Sequence, residues 1–529
     1  MSVNDEPVFL RSHAIIEPLV DRFYAWLHLV APAQASMNLA NVQVPLLESY
    51  LRSPRAHVAA GAGPAPRGGG FVDVDESRTM EIAALLDTIK RDRADMLAFA
   101  DAVAEAGDLL RENATGFDLA PLYARLPPPL RGLVELAYGT GNQASLRFLE
   151  PLLYAGPAYD AGRQSIQLSL ETGAERPFVL STPRLPGPDV LDLPIPFAHP
   201  GIDELFAARL APTTLGRLRE ALELDDARTA RLRGLLTDRP GLAPDRRIET
   251  GGRLRYFGHA CLVLQSPEAT VVTDPFISAD NRHGDRYTLD DLPDHIDLVL
   301  ITHGHPDHLV LETLLQLRRR IGAVVVPRAS RGNLCDPSIG LYLRALGFAV
   351  VEVDDFDEVP IPGGGVVATP YLGEHADLDI RAKSTYFVRI ADAGIYVGAG
   401  SSGADPMVYR QIRGRVGRVD LAFLGMACDG APLTRLYQGL PTRPGTPGMS
   451  DSRKLSGSDA KQAAAIMNEL GTDEAYVYAT GEESWQGHVL ATTRTGDTYR
   501  LRQIEEFLAW CSANGITAGH LLNKREWRW

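Results

Sequence analysis

The stretch 301–310, "ITHGHPDHLV", follows an apolar run and places His303, His305, Asp307 and His308 within six consecutive positions. Histidine and aspartate are good ligands for Zn, Fe and Mn, so this density points to a metal-binding loop. In the pattern H-x-H-x-D-H, alternate side chains point to two places. His303 and His305 would share one metal, and Asp307 and His308 a second. The competing reading is a helix start at Pro306-Asp307 with these residues as caps. Four potential ligands crowded behind a buried strand favour the metal.

Outward from this loop, "HIDLVLITH" reads as a buried strand ending at the histidines, "LVLETLLQLRRR" as a helix, "IGAVVVP" as a strand and "IGLYLRALG" as a helix. Upstream, "RLRYFGHACLVLQ" and "ATVVTDPFIS" read as the two strands of a hairpin. Downstream, "STYFVRIADAGIYVGAG" reads as a strand pair turning near Ala393–Gly394. Residues 1 to about 60 are predicted to be helical, from the apolar spacing of "IIEPLVDRFYAWLHLV". Further helices are expected over 76–112 and 202–236, and a half-buried strand over 164–171. "GAGPAPRGGG" (61–70) and "TDRPGLAPDRR" (237–247) read as breaks.

The 529 residues exceed one ordinary core. The expected fold class is α+β, with a mixed α/β N-terminal domain (1–246) and a metal-binding C-terminal domain (247–529). The net charge of -14, from 67 acidic and 53 basic residues, disfavours nucleic acid as a partner. The four cysteines are widely spaced, which fits free thiols in a reducing compartment. No apolar run approaches the ~20 residues of a membrane span, and the start shows no basic-then-apolar leader. The expected setting is cytoplasmic.

"THGHPDH" (302–308), with "GHACLVL" and "VTDPFIS", resembles the metallo-β-lactamase superfold and its THxHxDH signature. The resemblance implies an αββα sandwich with a two-metal site. It places Asp274 where an acid accepts a hydrogen bond from a ligand histidine and orients it. "YLGEHADLDIRAKSTYFVRI" (371–390), "GMACDGAPLTRLY" (425–437), "RKLSGSDAKQAAAIM" (453–467) and "VYATGEESWQGHV" (477–489) resemble one branch of that superfold. That branch is the non-heme diiron oxygenases of the chloramphenicol-pathway β-hydroxylase type. It implies two irons, O2, an external electron donor, an amino acid held as a thioester on a nonribosomal peptide synthetase carrier protein, and a homodimer.

The resemblance also implies that Glu374, in Gly373-Glu374-His375, is a metal ligand with a direct part in catalysis, and that His375 lies behind it. A carboxylate in place of imidazole adds negative charge and favours higher iron oxidation states. The other reading pairs Glu374 with Arg381 or Lys383. One departure stands out. The branch is expected to carry a bridging aspartate near "YVGAGSSGADP" (396–406), and aligning the serines puts Gly400 there. Ser401 and Asp405 are substitute donors, and Asp429, Glu482, Glu483 and His488 are further candidates without a motif. Three outcomes stay open: a modified diiron pair, a single metal, or loss of the oxygenase chemistry.

Three functions remain open on the sequence. The first is a diiron monooxygenase that hydroxylates the β-carbon of a carrier-bound aminoacyl group. The second is a zinc hydrolase of a thioester, lactone, amide or phosphoester, in which metal-bound water attacks. The third is a non-catalytic, carrier-binding relic, disfavoured because a loop packed with ligands is costly unless they are satisfied. Aromatic residues Tyr371, Tyr437 and Trp485 are read chiefly as core, and the polar groups of "CDGAPLTRLY" as channel lining or as buried support.

Overall fold

The computed structural model describes residues 6–62, 70–171, 176, 178–241, 246–279, 285–373, 375–442, 445–490 and 498–529. Ile296–Leu300 shows how the C-terminal part is layered. Leu298 and Leu300 face one apolar core, while Ile296 and Val299 face another. A strand covered on both sides is apolar at successive positions, which is why "LVLI" shows no alternation. Ile296–Leu300 pairs in parallel with Thr270–Thr273 on one side and Ile321–Pro327 on the other. The full seven-stranded sheet runs Val350–Val353, Ile321–Pro327, Ile296–Leu300, Thr270–Thr273, Leu262–Gln265, Arg253–Tyr256, Arg525–Arg528.

A second seven-stranded sheet runs Glu358–Ile361, Gly364–Thr369, Thr385–Ile390, Ala393–Val397, Leu421–Gly425, Glu474–Tyr478, Thr517–His520. Leu254, Leu264, Val271 and Val325 of the first sheet meet Val366, Tyr386, Ile395 and Phe423 of the second between the layers. Helices Met407–Val416, Ala460–Leu470 and Tyr499–Ala513 cover the second sheet's outer face through Ile412, Ile466 and Phe507. Helices Leu311–Leu317 and Ile339–Ala345 cover the first. This is the αββα sandwich expected from the histidine loop.

The N-terminal part is mixed α/β. Its central sheet runs Phe23–Tyr24, Ala14–Val20, Gln164–Leu170, Leu191–Leu193. Its apolar core is continuous with that beneath the helices of the first sandwich layer: Leu27, Leu205, Leu314 and Leu343 share one cluster. Buried ions cross the same boundary. Glu17 accepts from Arg184 at 2.6 and 3.0 Å and from Arg176 at 2.7 Å, and Arg176 donates to both Glu312 oxygens at 2.9 Å. Tyr24 Oη adds a 3.0 Å bond to Glu312. Burial raises the Glu17 carboxyl, but the two guanidiniums outweigh it and hold it at about 2.

Three expectations change. The stretch 14–20 is a strand rather than a helix, buried at every position, and it turns at Asp21 and Arg22 (φ 47° and 73°). Ile15, Ile16 and Val20 are β-branched, and a short, mostly apolar stretch interrupted only by Glu17 fits a doubly covered strand as well as a helix. Helix begins only at Leu27–Val30. The expected hairpin holds three strands, since Leu262–Gln265 pairs with both Arg253–Tyr256 and Thr270–Thr273. The later turn falls at Ala391–Asp392, both with positive φ, two residues before the expected place. Arg318–Arg320 forms a short 3-10 turn whose cations are engaged by Asp203, Glu204 and backbone carbonyls. Among the described residues no helix is long and apolar enough to cross a membrane.

Candidate metal centre

The loop 301–310 leaves the C-terminal end of Ile296–Leu300. Loops after Thr270–Thr273, Gly364–Thr369, Ala393–Val397, Leu421–Gly425 and Glu474–Tyr478 converge on it. Asp274, wholly buried, stands immediately after its strand. It accepts from the Thr302 amide (2.8 Å), Thr302 Oγ1 (2.6 Å) and His308 Nδ1 (2.8 Å). A carboxylate only accepts, so Nδ1 of His308 carries the proton and Nε2 is left as a donor atom for a metal.

Two groups of potential ligands form side by side: His303, His305 and His375, and His259, Asp307 and His308. Within each, the ligand atoms lie within 4.8 Å of one another. Ring centroids of His303 stand 4.4 Å from His305, 4.1 Å from His308 and 4.9 Å from His375. Burial first, and then the neighbouring imidazoles, push His303 and His375 well below the ordinary histidine value. Burial takes His305 to about 4 despite the opposing charge of Asp307. Burial would raise Asp307, but the charge of His308 and a bond from His259 prevail and keep it well below the usual carboxylate range. His303, His305 and His375 are therefore neutral imidazoles and Asp307 an ionised carboxylate, the protonation states in which these side chains bind metals. His375 Nε2 and His259 Nδ1 are buried without a hydrogen-bond partner. A two-histidine, one-carboxylate group beside a three-histidine group fits non-heme iron.

His375 thus joins His303 and His305. Its backbone is left-handed (φ 58°), and Tyr437 Oη lies 3.3 Å from its Nδ1 and 2.9 Å from His305 Nε2. Glu374 lies outside the described residues. Ser401 is turned away: its Oγ meets Tyr409 Oη at 2.8 Å and accepts from the Leu372 amide at 3.0 Å. Asp405 is exposed and accepts from Met407 N at the start of a helix. Asp429 and Glu482 both bind Arg500, at 2.8 and 3.3 Å. Glu483 accepts from the His259 amide at 3.0 Å and from Tyr256 Oη. His488 belongs to neither ligand group; its Nδ1 bonds Trp485 O and its ring edges onto Phe276. The motifs of the sequence do not single out His259. Its one signal there is a Gly-His pair in the tight turn of a hairpin adjoining the Asp274 strand.

Gly400 does face the site. It lines a cavity of about 130 Å³ together with His259, His305, Asp307, His308, Arg435 and Arg500, and Leu180 of the N-terminal part closes one wall. Of "CDGAPLTRLY", Gly430, Ala431, Arg435 and Leu436 line the same space. A smaller cavity of about 50 Å³, bounded by Trp26, Asn38, Gln43 and Phe178, shares Leu180, Arg435 and Leu436 with it.

Fold and site together define a metallo-β-lactamase-type metalloprotein with two adjoining ligand groups. The family models agree: the diiron non-heme β-hydroxylase N-terminal domain matches residues 9–240 and the β-lactamase superfamily domain 269–478. The 4-amino-L-phenylalanyl-[CmlP-peptidyl-carrier-protein] 3-hydroxylase of Streptomyces venezuelae is 37% identical over 493 residues, 91% of this chain and 92% of that one. The crystal structure of CmlA, a diiron β-hydroxylase from Streptomyces venezuelae, superposes with a TM-score of 0.92 at 34% identity, covering 99% of this chain and 100% of that one. A point variant of CmlA superposes at 0.90. The chain belongs to the diiron non-heme β-hydroxylase family. It is an oxygenase whose cofactor is two irons, and the hydrolase reading is not favoured.

Proposed function

We propose that this enzyme hydroxylates the β-carbon of an aminoacyl group tethered as a thioester to a peptidyl carrier protein. The relative that supports this acts on an aminoacyl-carrier substrate and spans nearly the whole chain. The observation that carries the reading is the pair of adjoining ligand groups opening onto one cavity. His303, His305 and His375 would hold one iron and Asp307 and His308 the other, with Glu374 read as a further carboxylate ligand. When bound, the irons supply O2 activation for insertion of oxygen into a C–H bond.

The chain's own residues do the rest. Asp274 fixes the tautomer of His308, and Tyr437 sets the His305 and His375 rings. Leu180, Leu436 and Val489 exclude water beside the ligands, which strengthens every electrostatic contact there. Leu180, Arg435 and Leu436 line both cavities, and we read this side of the site, next to the N-terminal part, as the approach for an acyl arm.

The test is iron-loaded protein with a chemical reductant, O2 and a panel of aminoacyl-carrier proteins, read by intact-protein mass spectrometry. Gain of one oxygen atom on the tethered group is expected, and none on the free amino acids. Release of the acyl group without oxygen gain would point to a thioesterase instead.

A further inference from the structure

We propose that His259 is a direct ligand of the second iron, closing with Asp307 and His308 a two-histidine, one-carboxylate face. The inference rests on the diiron reading above and adds a ligand outside the 302–308 loop.

His259 Nε2 lies 3.1 Å from Asp307 Oδ2, and the ring stands 5.0 Å from that of His308. Two donors bound at about 2.1 Å and roughly at right angles stand about 3 Å apart. The separation is therefore that of neighbours on one ion.

The backbone aims this side chain. Gly258 and His259 both have positive φ, 100° and 50°. The His259 amide donates to Glu483 Oε1 at 3.0 Å, and its carbonyl accepts from Ala479 N at 3.0 Å. A left-handed histidine is an unfavoured conformation, held only where its surroundings over-determine it. Here a buried carboxylate from the far sheet and the edge of Phe276 do so.

Alternatives are spent elsewhere. Ser401 is committed to Tyr409, Asp405 is exposed at a helix start, and Asp429 is paired with Arg500. Gly400, on the cavity wall, has no side chain to offer. Among the described residues, His259 is the donor that groups with Asp307 and His308. With it, His259, Asp307 and His308 supply three side chains to an ion that normally takes three or more.

The rival role is a positioning one, in which Nε2–H merely donates to Asp307. His259→Gln separates the two, because an amide keeps a donor for Asp307 and is a poor iron ligand. The full-length protein is stripped with chelator, reloaded anaerobically with Fe(II), and its iron per chain measured by mass spectrometry. Binding isotherms and the visible spectrum of Co(II)-loaded protein are recorded alongside.

Wild type is expected to hold two irons and the variant one, with loss of one Co(II) environment. Two irons in wild type and two in the variant would overturn the ligand assignment and leave the diiron reading standing. Fewer than two in wild type would overturn the diiron reading itself. If His259→Gln misfolds or loses both ions, His259→Gly with added imidazole decides. Recovery of the second ion by imidazole supports the assignment, and no recovery overturns it.

Discussion

Asp274 Oδ2 and His308 Nδ1 lie 2.8 Å apart in a fully buried bond. The same carboxylate holds the amide and hydroxyl of Thr302, so a single residue sets both the entry of the metal loop and the tautomer of one of its ligands. Asp274→Ala is expected to weaken metal binding about 10- to 100-fold. It should also destabilise the fold by about 1–3 kcal/mol, because the Thr302 N–H loses its partner. Asp274→Asn should fold better and still bind metal poorly. Metal titration alongside thermal melts distinguishes the two effects.

Gly400 lines the cavity wall shared with Asp307 and His308. Gly400→Asp should tighten the second metal, seen as slower loss of one ion to a chelator. Unchanged metal retention would show that a side chain at this position does not reach the ions.

Tyr437 Oη sits between His305 Nε2 and His375 Nδ1. Tyr437→Phe keeps the packing and removes the bridge. A loss of roughly 1 kcal/mol in stability is expected, with a fall in turnover larger than any rise in KM for substrate. Retained turnover would restrict Tyr437 to packing.

Glu17 gives a pH prediction. Its carboxyl is held at about 2 when folded, against 4.5 for the free group. A depressed acid stabilises the fold above its unfolded value and ceases to do so as pH falls through the folded one. The ion cluster's contribution, a few kcal/mol by linkage, should be present at pH 5 and above and vanish progressively between about 4.5 and 2. Acid melts of wild type and Glu17→Gln should converge at the low end of that window.

The metal loop is legible in the sequence because its ligands are contiguous and follow a strand whose apolar run betrays burial on both faces. Asp274 is legible through the resemblance of "VTDPFIS" to the superfold, and it ends the strand beside the one that leads to the loop. His259 and His375 are harder to place. Each is a lone histidine on a turn with positive φ, and only strand pairing brings it to the loop. Tyr437 reads as core, and it is buried; its hydroxyl contacts depend on loops more than sixty residues away. The strand 14–20 escapes a reading by periodicity because its burial comes from tertiary packing on both sides, which a short apolar run does not distinguish from a helix face.

The Glu17–Arg176–Glu312 cluster has a consequence for modularity. Glu312 lies on the helix just after the ligand loop, and its cation is supplied from the other half of the chain. A truncated chain beginning at residue 247 would strip Glu312 of the guanidinium and hydroxyl that hold it and uncover the apolar face of its helix, which packs on the N-terminal part. The β-lactamase-type half is thus not a transplantable cassette, and chimaeras that exchange front halves among relatives should succeed only where the arginine travels with the glutamate.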